Sequence, residues 1–170
     1  NSGYMRIYSD GVANDTVVNS AGSMYISNGG KHRLTLTMEG GAVVSAFEGG
    51  IVDFTVSEWN TTAGYLINDL SLIQGTPAYT ITVNADQAAG TYKLAQGASN
   101  FTQTVAIGTE TVNYGSITAN GADFVYNGVT YSLDQVAGNL TLTIGAAVPT
   151  GDQVQVYSSG TLVKQGTVLT

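Results

Sequence analysis

The sequence has 170 residues, a formal net charge of −7 and no cysteine, and only 10% of its residues are charged. Its five Lys and Arg residues are too few for the basic patch that nucleic-acid binding needs, and they disfavour anionic membrane surfaces for the same reason. The lack of cysteine excludes zinc–thiolate sites, iron–sulfur clusters and cysteine nucleophiles. The hydrophobic residues, 43% of the total, are dispersed among Thr, Ser, Asn and Gly, and no apolar run approaches the ~20 residues of a spanning helix. This composition predicts an ordered all-β protein.

Three similar stretches open the chain at a spacing of 19 residues. They are GYMRIYSDG from Gly3, GSMYISNGG from Gly22 and GAVVSAFEGG from Gly41. Glycine returns at the ninth position of each unit, at Gly11, Gly30 and Gly49. The second half of each unit is strand-like, at 15–19, 33–38 and 52–57. Each unit therefore predicts two short strands that are entered through glycine turns.

This repeat predicts stacked units, because its period falls in the range of stacked repeat architectures. A helical repeat is excluded, since Gly and β-branched residues form helices poorly and no apolar spacing of 3.6 residues is present. We therefore expect residues 1–84 to form a short right-handed parallel β-solenoid (β-helix) of ~19-residue coils. Gly30 is expected to tolerate substitution worse than any charged residue, because it sits at a positive φ or close to a neighbouring coil.

The repeat also resembles a known family. Units of the form G-x-ϕ-x-ϕ-x-x-x-G, followed by a T-x-V-like strand, are similar to the passenger repeats of AIDA-type self-associating autotransporter adhesins, which are bacterial surface proteins built on a β-helix. The resemblance covers residues 3 to about 59 and comprises three clear units. It implies an adhesive role at the cell surface, but it does not extend to the secretion route.

The nineteen-residue rhythm ends near residue 84. A loop at 60–64 and the apolar segment 64–75 precede Pro77, and a strand is predicted at 78–84. Residues 85–147 are expected to form a separate antiparallel β module, a meander or small sandwich. Its predicted strands are 91–95, 101–107, 110–114, 123–127, 129–133 and 139–145. Asn127-Gly128 predicts a type I′ hairpin, and a looser turn is expected at 134–138.

The last segment, 148–170, contains a stretch similar to the first unit. QVYSSG at 155–160 matches RIYSDG at 6–11 in Tyr, Ser and Gly. We therefore expect this segment to begin the next solenoid repeat. Since no initiator Met and no basic start followed by an apolar stretch are visible, we expect the chain to be an excised piece of a longer protein.

The search for catalytic or metal-binding residues yields no predicted site and no predicted cofactor. His32 is the sole histidine and so the only candidate base for a nucleophilic triad, but in GGKHRL we expect it in a solvated turn, where flanking cations lower its pKa. Glu39 and Glu58 share the eighteenth position of adjacent units, which predicts carboxylates roughly 5 Å apart. Like charges at an exposed turn are favoured over a glycosidase pair. No calcium-loop pattern is present, and Asp10, Asp15 and Asp134 are expected in turns.

Aromatic residues raise the alternative of sugar stacking. Tyr4, Tyr8 and Tyr25 lie in the first units, and Tyr4 and Tyr8 share a strand face because their separation is even. Tyr126 and Tyr131 flank the predicted hairpin. Tyr is also a good strand former, and this structural interpretation is preferred.

The sequence thus predicts a non-enzymatic structural and adhesive segment of a repetitive bacterial cell-surface or secreted protein. Its expected location is extracellular or on the bacterial outer surface. The expected partners are other copies of itself, or host or bacterial surface glycans or proteins, without nucleic acid or membrane insertion. The alternative is a carbohydrate-binding or polysaccharide-active β-helix protein.

Overall fold

Alternating polar and apolar residues separated by glycine turns give an all-β chain, as the composition predicts. A computed structural model describes residues 3–47, 49–146, 153–158 and 161–167. Within these residues the chain has two 3₁₀ helices, Val56–Glu58 and Leu70–Leu72, and no helix long and apolar enough to cross a membrane. The strands are β1 Tyr4–Ile7, β2 Val12–Val18, β3 Ser23–Ile26, β4 Lys31–Met38, β5 Val43–Ala46, β6 Ile51–Thr55, β7 Ile73–Gly75, β8 Ala78–Thr82, β9 Gly90–Ala95, β10 Thr104–Gly108, β11 Asn113–Thr118, β12 Phe124–Tyr126, β13 Val129–Val136, β14 Asn139–Ile144, β15 Gln153–Ser158 and β16 Thr161–Thr167.

The odd and even strands of the first units separate into two sheets. The first sheet has the order β1-β3-β5-β7, and all of its neighbouring strands are parallel. The second has the order β11-β10-β8-β6-β4-β2, and only β10 and β11 are antiparallel. Each unit therefore contributes one strand to each sheet, directly beside the strand of the preceding unit.

The register corrects the predicted glycine alignment in the third unit. Tyr4 lies opposite Ser23, a shift of 19 residues, whereas Ser23 lies opposite Val43, a shift of 20. The structural counterpart of Gly30 is therefore Gly50 and not Gly49. The extra residue enters within β4, where the pairing with β2 passes from a shift of 19 at Asn14 and Arg33 to a shift of 20 at Thr16 and Leu36. The two consecutive glycines at 49 and 50 hid it from the alignment.

Strands β2 and β4 bend near their middle. Beyond the bend, the chain forms a third row of parallel backbone pairs in addition to the rows of the two sheets. The pairing of β2 with β4 shifts register between Asn14 and Thr16, and Asp15 and Leu34 have φ values of 45° and 61°. Past this bend, single parallel bridges join Leu36 to Ile67 and Ile67 to Ala95. The third row thus links the first units to β9.

The core consists of the inward positions of these rows. Its fully buried side chains are stacked by the parallel register, since Met24 lies opposite Val44 and Phe54 lies opposite Ile81. Tyr92, Leu140 and Leu142 continue the same buried cluster from β9 and β14. One continuous apolar core therefore runs from the first units into the region after residue 85.

Strand β10 lies after the domain boundary predicted at residue 85, but it belongs to the same sheet as strands before that boundary. It pairs in parallel with β8, with Val105 opposite Tyr79, and so extends the second sheet. Of the strand predicted at 110–114, residues 110–112 form a loop and residues 113–114 open β11. Antiparallel pairing is found in the hairpin β10–β11 and in a four-stranded sheet of order β12-β13-β14-β9, of which the first three form a meander.

The predicted Asn127-Gly128 hairpin is confirmed, because both residues have positive φ, 48° and 77°. The second turn is tighter than expected. Val136 pairs with Asn139, so only Ala137 and Gly138 form the turn, again with positive φ. β13 therefore runs three residues past the predicted end of its strand.

The end of the chain differs from the parallel coil that was expected. β15 and β16 pair antiparallel in a two-stranded sheet of their own. The remaining residues of the predicted repeat start, 148–152, 159–160 and 168–170, lie outside the described residues.

Gly30→Ala is expected to destabilise the protein by about 1–3 kcal/mol, the usual cost of overpacking. A Cβ at Gly30 would lie 2.7 Å from the carbonyl oxygen of Ile7 and 3.0 Å from that of Tyr8, both in the preceding unit's backbone. The matched control is Gly40→Ala, whose Cβ would meet nothing within 4 Å. The change should show in urea unfolding, and equal midpoints for the two variants would contradict the close approach.

Candidate functional site

Three aromatic side chains form a row across the outer face of the first sheet. Tyr4 and Tyr25 have ring centroids 5.3 Å apart, and Tyr25 and Phe47 are stacked at 6.2 Å with an interplanar angle of 17°. Tyr4 is 66% exposed and Phe47 is 53% exposed. We call these three residues the aromatic row.

Tyr8 does not join the aromatic row, although it was expected to share a face with Tyr4. Its exposed ring lies under the Arg6 guanidinium, with Cζ 5.2 Å from the ring centroid. Arg6 Nε also donates a hydrogen bond of 3.0 Å to Ser27 Oγ in the next unit. The Arg6 guanidinium and the Tyr8 ring therefore lie beside the aromatic row.

The other tyrosines considered for sugar stacking are packed against protein. Tyr126 stacks on Tyr114 at 3.9 Å, and Tyr131 is 3% exposed. Their ring faces are thus covered, and they form no open platform. In the aromatic row Tyr4 lies on β1, the edge strand of the first sheet, so the side of its ring away from Tyr25 has no neighbouring strand within that sheet.

A buried carboxylate that the sequence analysis did not single out, Asp53, lies on the second sheet. Asp53 is fully buried and accepts hydrogen bonds from the hydroxyls of Thr55 at 2.6 Å, Thr82 at 2.8 Å and Thr80. The parallel register sets Asp53 opposite Thr80 and Thr55 opposite Thr82. Since three hydroxyls satisfy the carboxylate, burial of its charge is compensated.

Arg33 closes this network from the adjacent strand. Its Nε lies 3.8 Å from Asp53 Oδ2, within ion-pair range but too far for a hydrogen bond. Its Nη2 pairs with Glu110 and lies 3.7 Å from Glu58. The guanidinium thereby fastens the loop that carries Glu110 over the outer face of the sheet. One cation faces three carboxylates, and the arrangement acts as a clamp on the fold.

A cavity of about 290 Å³ lies beside this clamp, and Lys31, Thr80, Thr82 and Glu110 contribute to its walls. Asp53 does not act there as a free base, because its oxygens are occupied by hydroxyl donors. Within the described residues, no group of three or more His, Asp or Glu side chains is placed to hold a metal ion.

His32 is fully buried, and its expected place in a solvated turn is wrong. It lies within β4, where alternation turns Lys31 and Arg33 to one side and His32 to the other, opposite Val52. Burial lowers its pKa from 6.5 to about 4, while the Thr35 backbone, Asp53 and Asp15 weakly oppose this shift. Neither ring nitrogen makes a well-formed hydrogen bond among the described residues. The imidazole is therefore neutral.

Glu39 and Glu58 occupy different surroundings, and the predicted stacked pair is not formed. Glu39 accepts a hydrogen bond of 3.0 Å from the Ser20 backbone, whereas Glu58 lies beside Arg33. The third unit inserts a 3₁₀ helix and a loop over 56–65 before the chain rejoins the third row at Ile67. This insertion displaces Glu58 from the position equivalent to Glu39.

Sequence comparison adds no relative to this description: no family model matches the chain, and neither a curated protein nor a solved structure is detectably similar to it.

Asp53→Ala is expected to destabilise the protein by about 3–5 kcal/mol, because it leaves three threonine hydroxyls without their acceptor and removes one charge partner of the partly buried Arg33. Glu58→Gln is the control. Since Glu58 is 58% exposed, the loss there should stay under about 1 kcal/mol. Guanidinium unfolding at pH 7 measures both variants, and similar losses would show that the buried carboxylate is not the centre of the clamp.

His32 should make stability fall as the medium becomes acidic. Because its pKa is about 4 in the folded protein and 6.5 ordinarily, the unfolded chain binds a proton in this window that the folded chain does not. The unfolding free energy should therefore drop by about 2 kcal/mol from pH 7 to pH 5.

In His32→Leu this drop should largely vanish. The comparison is direct, since His32 is the sole histidine. Unfolding curves at several pH values test it, and parallel pH profiles for both proteins would contradict the buried neutral imidazole.

Proposed function

We propose that the chain is a structural and adhesive segment of a bacterial surface or secreted protein, built on a short parallel β-solenoid. The observation that carries the proposal is the register. Strands of successive units pair in parallel in two sheets with shifts of 19 and 20 residues. When successive units pair in parallel at a nearly constant interval, similar residues of each unit stack on one another, as in the coils of a solenoid.

The resemblance to AIDA-type repeats supports the adhesive part of this proposal and the extracellular or outer-surface location. Stacked units joined by backbone hydrogen bonds make a stiff scaffold, on which weak contacts add up when many copies are displayed together. The partners proposed are other copies of the chain, or glycans or proteins of host or bacterial surfaces.

We further propose that the segment is not an enzyme. The sole histidine is fully buried, and the carboxylate of Asp53, which is also fully buried, is held by three threonine hydroxyls. General acid–base catalysis needs a group with a free proton or lone pair facing substrate, and neither residue offers one.

The aromatic row is the surface through which we expect contact to occur. Exposed large hydrophobic side chains that lie together mark interaction sites more strongly than isolated ones. Tyr and Phe bury much area at little entropic cost, and Arg6 adds a charged donor beside them. The row therefore suits a protein surface, including that of a second copy.

Carbohydrate binding is the second candidate, and the specific observation in its favour is the free outer side of Tyr4 at the end of the aromatic row. A sugar ring stacks on an aromatic face, so binding would depend on Tyr4 far more than on Phe47. A protein contact would depend on both.

Tyr4→Ser/Phe47→Ser should weaken self-association at least about tenfold, because two exposed aromatic anchors are lost. Sedimentation across a concentration series measures this, and clumping of cells that display the chain provides a second readout. Val125→Ser is the control, since Val125 is 60% exposed on β12 and outside the row. If the double variant and the control associate alike, the aromatic row is not the contact surface.

A further inference from the structure

A second cavity, also about 290 Å³, lies where the parallel units meet the loop that precedes β10. Its walls come from the end of β7, the start of β8 and the loop 97–103. Residues with side chains suited to a small polar ligand are Ser71, Thr76, Tyr79, Asn100, Phe101 and Gln103. Among the described residues, no Lys, Arg, Asp or Glu lines this cavity, so the side chains at its walls are uncharged.

Tyr79 gives this cavity an unused hydrogen-bonding group. The side chain is 7% exposed, its ring lies 6.0 Å from that of Phe54 and it meets Phe101 edge to face at 4.9 Å. Its hydroxyl makes no hydrogen bond to another described residue, and burial raises the pKa of Tyr79 to about 12. A neutral phenol with a free proton is therefore held at the cavity wall.

The loop 97–103 contributes two amides and an apolar ring to the same cavity. The side chains of Asn100 and Gln103 make no hydrogen bonds within the described structure and each carries both donors and an acceptor. Phe101 between them is half-buried. A planar apolar group flanked by amides and a phenol is the combination that binds a sugar, whose ring has C–H faces and a rim of hydroxyls.

The loop that carries these residues is held in place before any ligand arrives. Ala98 N donates to Gly138 O at 2.8 Å, and its carbonyl accepts from Gln135 Nε2 at 3.0 Å and from Phe101 N at 2.9 Å. Gly97 has a φ of 66°, and a Cβ there would collide with the Asp69 carboxylate. A preformed site loses less entropy on binding.

We propose that this cavity binds one neutral monosaccharide unit, such as a hexose or N-acetylhexosamine at the end of a glycan. The volume stands at the lower end of ligand sites, so it admits one ring and not a chain. This site deepens the proposed adhesive function and rests on it for its biological meaning, because a surface glycan is then the partner. It lies outside the aromatic row.

The test is an NMR titration of the ¹⁵N-labelled chain with the methyl glycosides of glucose, galactose, mannose and N-acetylglucosamine. At least one should shift the amides of 75–79 and 97–103, with a Kd of roughly 1 mM, as expected for so small a ligand. Tyr79→Phe should weaken that binding about three- to tenfold, since one hydrogen bond is lost.

Tyr92→Phe is the matched control. Tyr92 is also buried, but its hydroxyl already donates to Ala88 O at 2.7 Å and does not line the cavity. The affinity of the Tyr92→Phe variant for the glycoside should equal that of the wild type. Should Tyr79→Phe disturb the fold, Asn100→Ala/Gln103→Ala replaces it, because both side chains are exposed and should be removable without unfolding.

Absence of shifts with all four glycosides at about 50 mM, well above the Kd expected, would overturn the proposal and leave a hydrated cavity only. Shifts that are unaffected by both Tyr79→Phe and the amide double variant would overturn it too. Cell clumping, measured separately, distinguishes the two proposals. Clumping without glycoside binding would support the adhesive function and reject the sugar site. Glycoside binding without clumping would support the sugar site and reject the adhesive function.

Discussion

The main-chain hydrogen bonds that join each unit to the next are the interaction on which the rest of the structure depends. Lys31 N donates to Gly11 O, and Ile51 N donates to Gly30 O, each at 2.9 Å. The backbones of neighbouring units approach so closely that a Cβ at Gly30 or Gly50 would lie 2.7 Å from a carbonyl oxygen of the preceding unit, which explains the glycine at both corners. They also fix the register, so that an apolar residue in one unit rests on an apolar residue in the next.

The same register sets polar groups together as firmly as apolar ones. Asp53 and Thr80 lie opposite each other because their strands pair in parallel, and the carboxylate thereby gains donors from two strands. Burial of an unpaired charge would be costly in free energy. Here the hydroxyl donors that offset this cost come from residues that keep their regular places in the strands. Arg33 then joins this face of the sheet to the loop that carries Glu110, because its guanidinium lies in ion-pair range of both Asp53 and Glu110.

Periodicity allowed the all-β class, the units and most strands to be predicted, since glycine and alternation are local signals. The failures at β10 and at the Asp53 network share one cause, namely that the partners are distant in sequence. β10 carries no trace of the repeat, yet parallel pairing with β8 requires only a compatible edge. His32 was misplaced because its charged neighbours outweighed strand alternation in the interpretation. A D-x-T pattern at 53–55 and a T-x-T pattern at 80–82 were visible, but nothing local shows that these strands are adjacent.

The direction of the aromatic row has a consequence for how such a surface grows. Tyr4 lies opposite Ser23, so Tyr25 stands two residues further along its strand, and Phe47 stands two residues past Ser45, which lies opposite Tyr25. The row is thus a diagonal that starts at the first residue of β1 and leaves the sheet just after β5. One more step would fall beyond the strands. Its length is limited by strand width, so lengthening the stack would not lengthen the strip. A further unit beside β7 would therefore leave the row unchanged, and its footprint is fixed at three rings by the width of the strands.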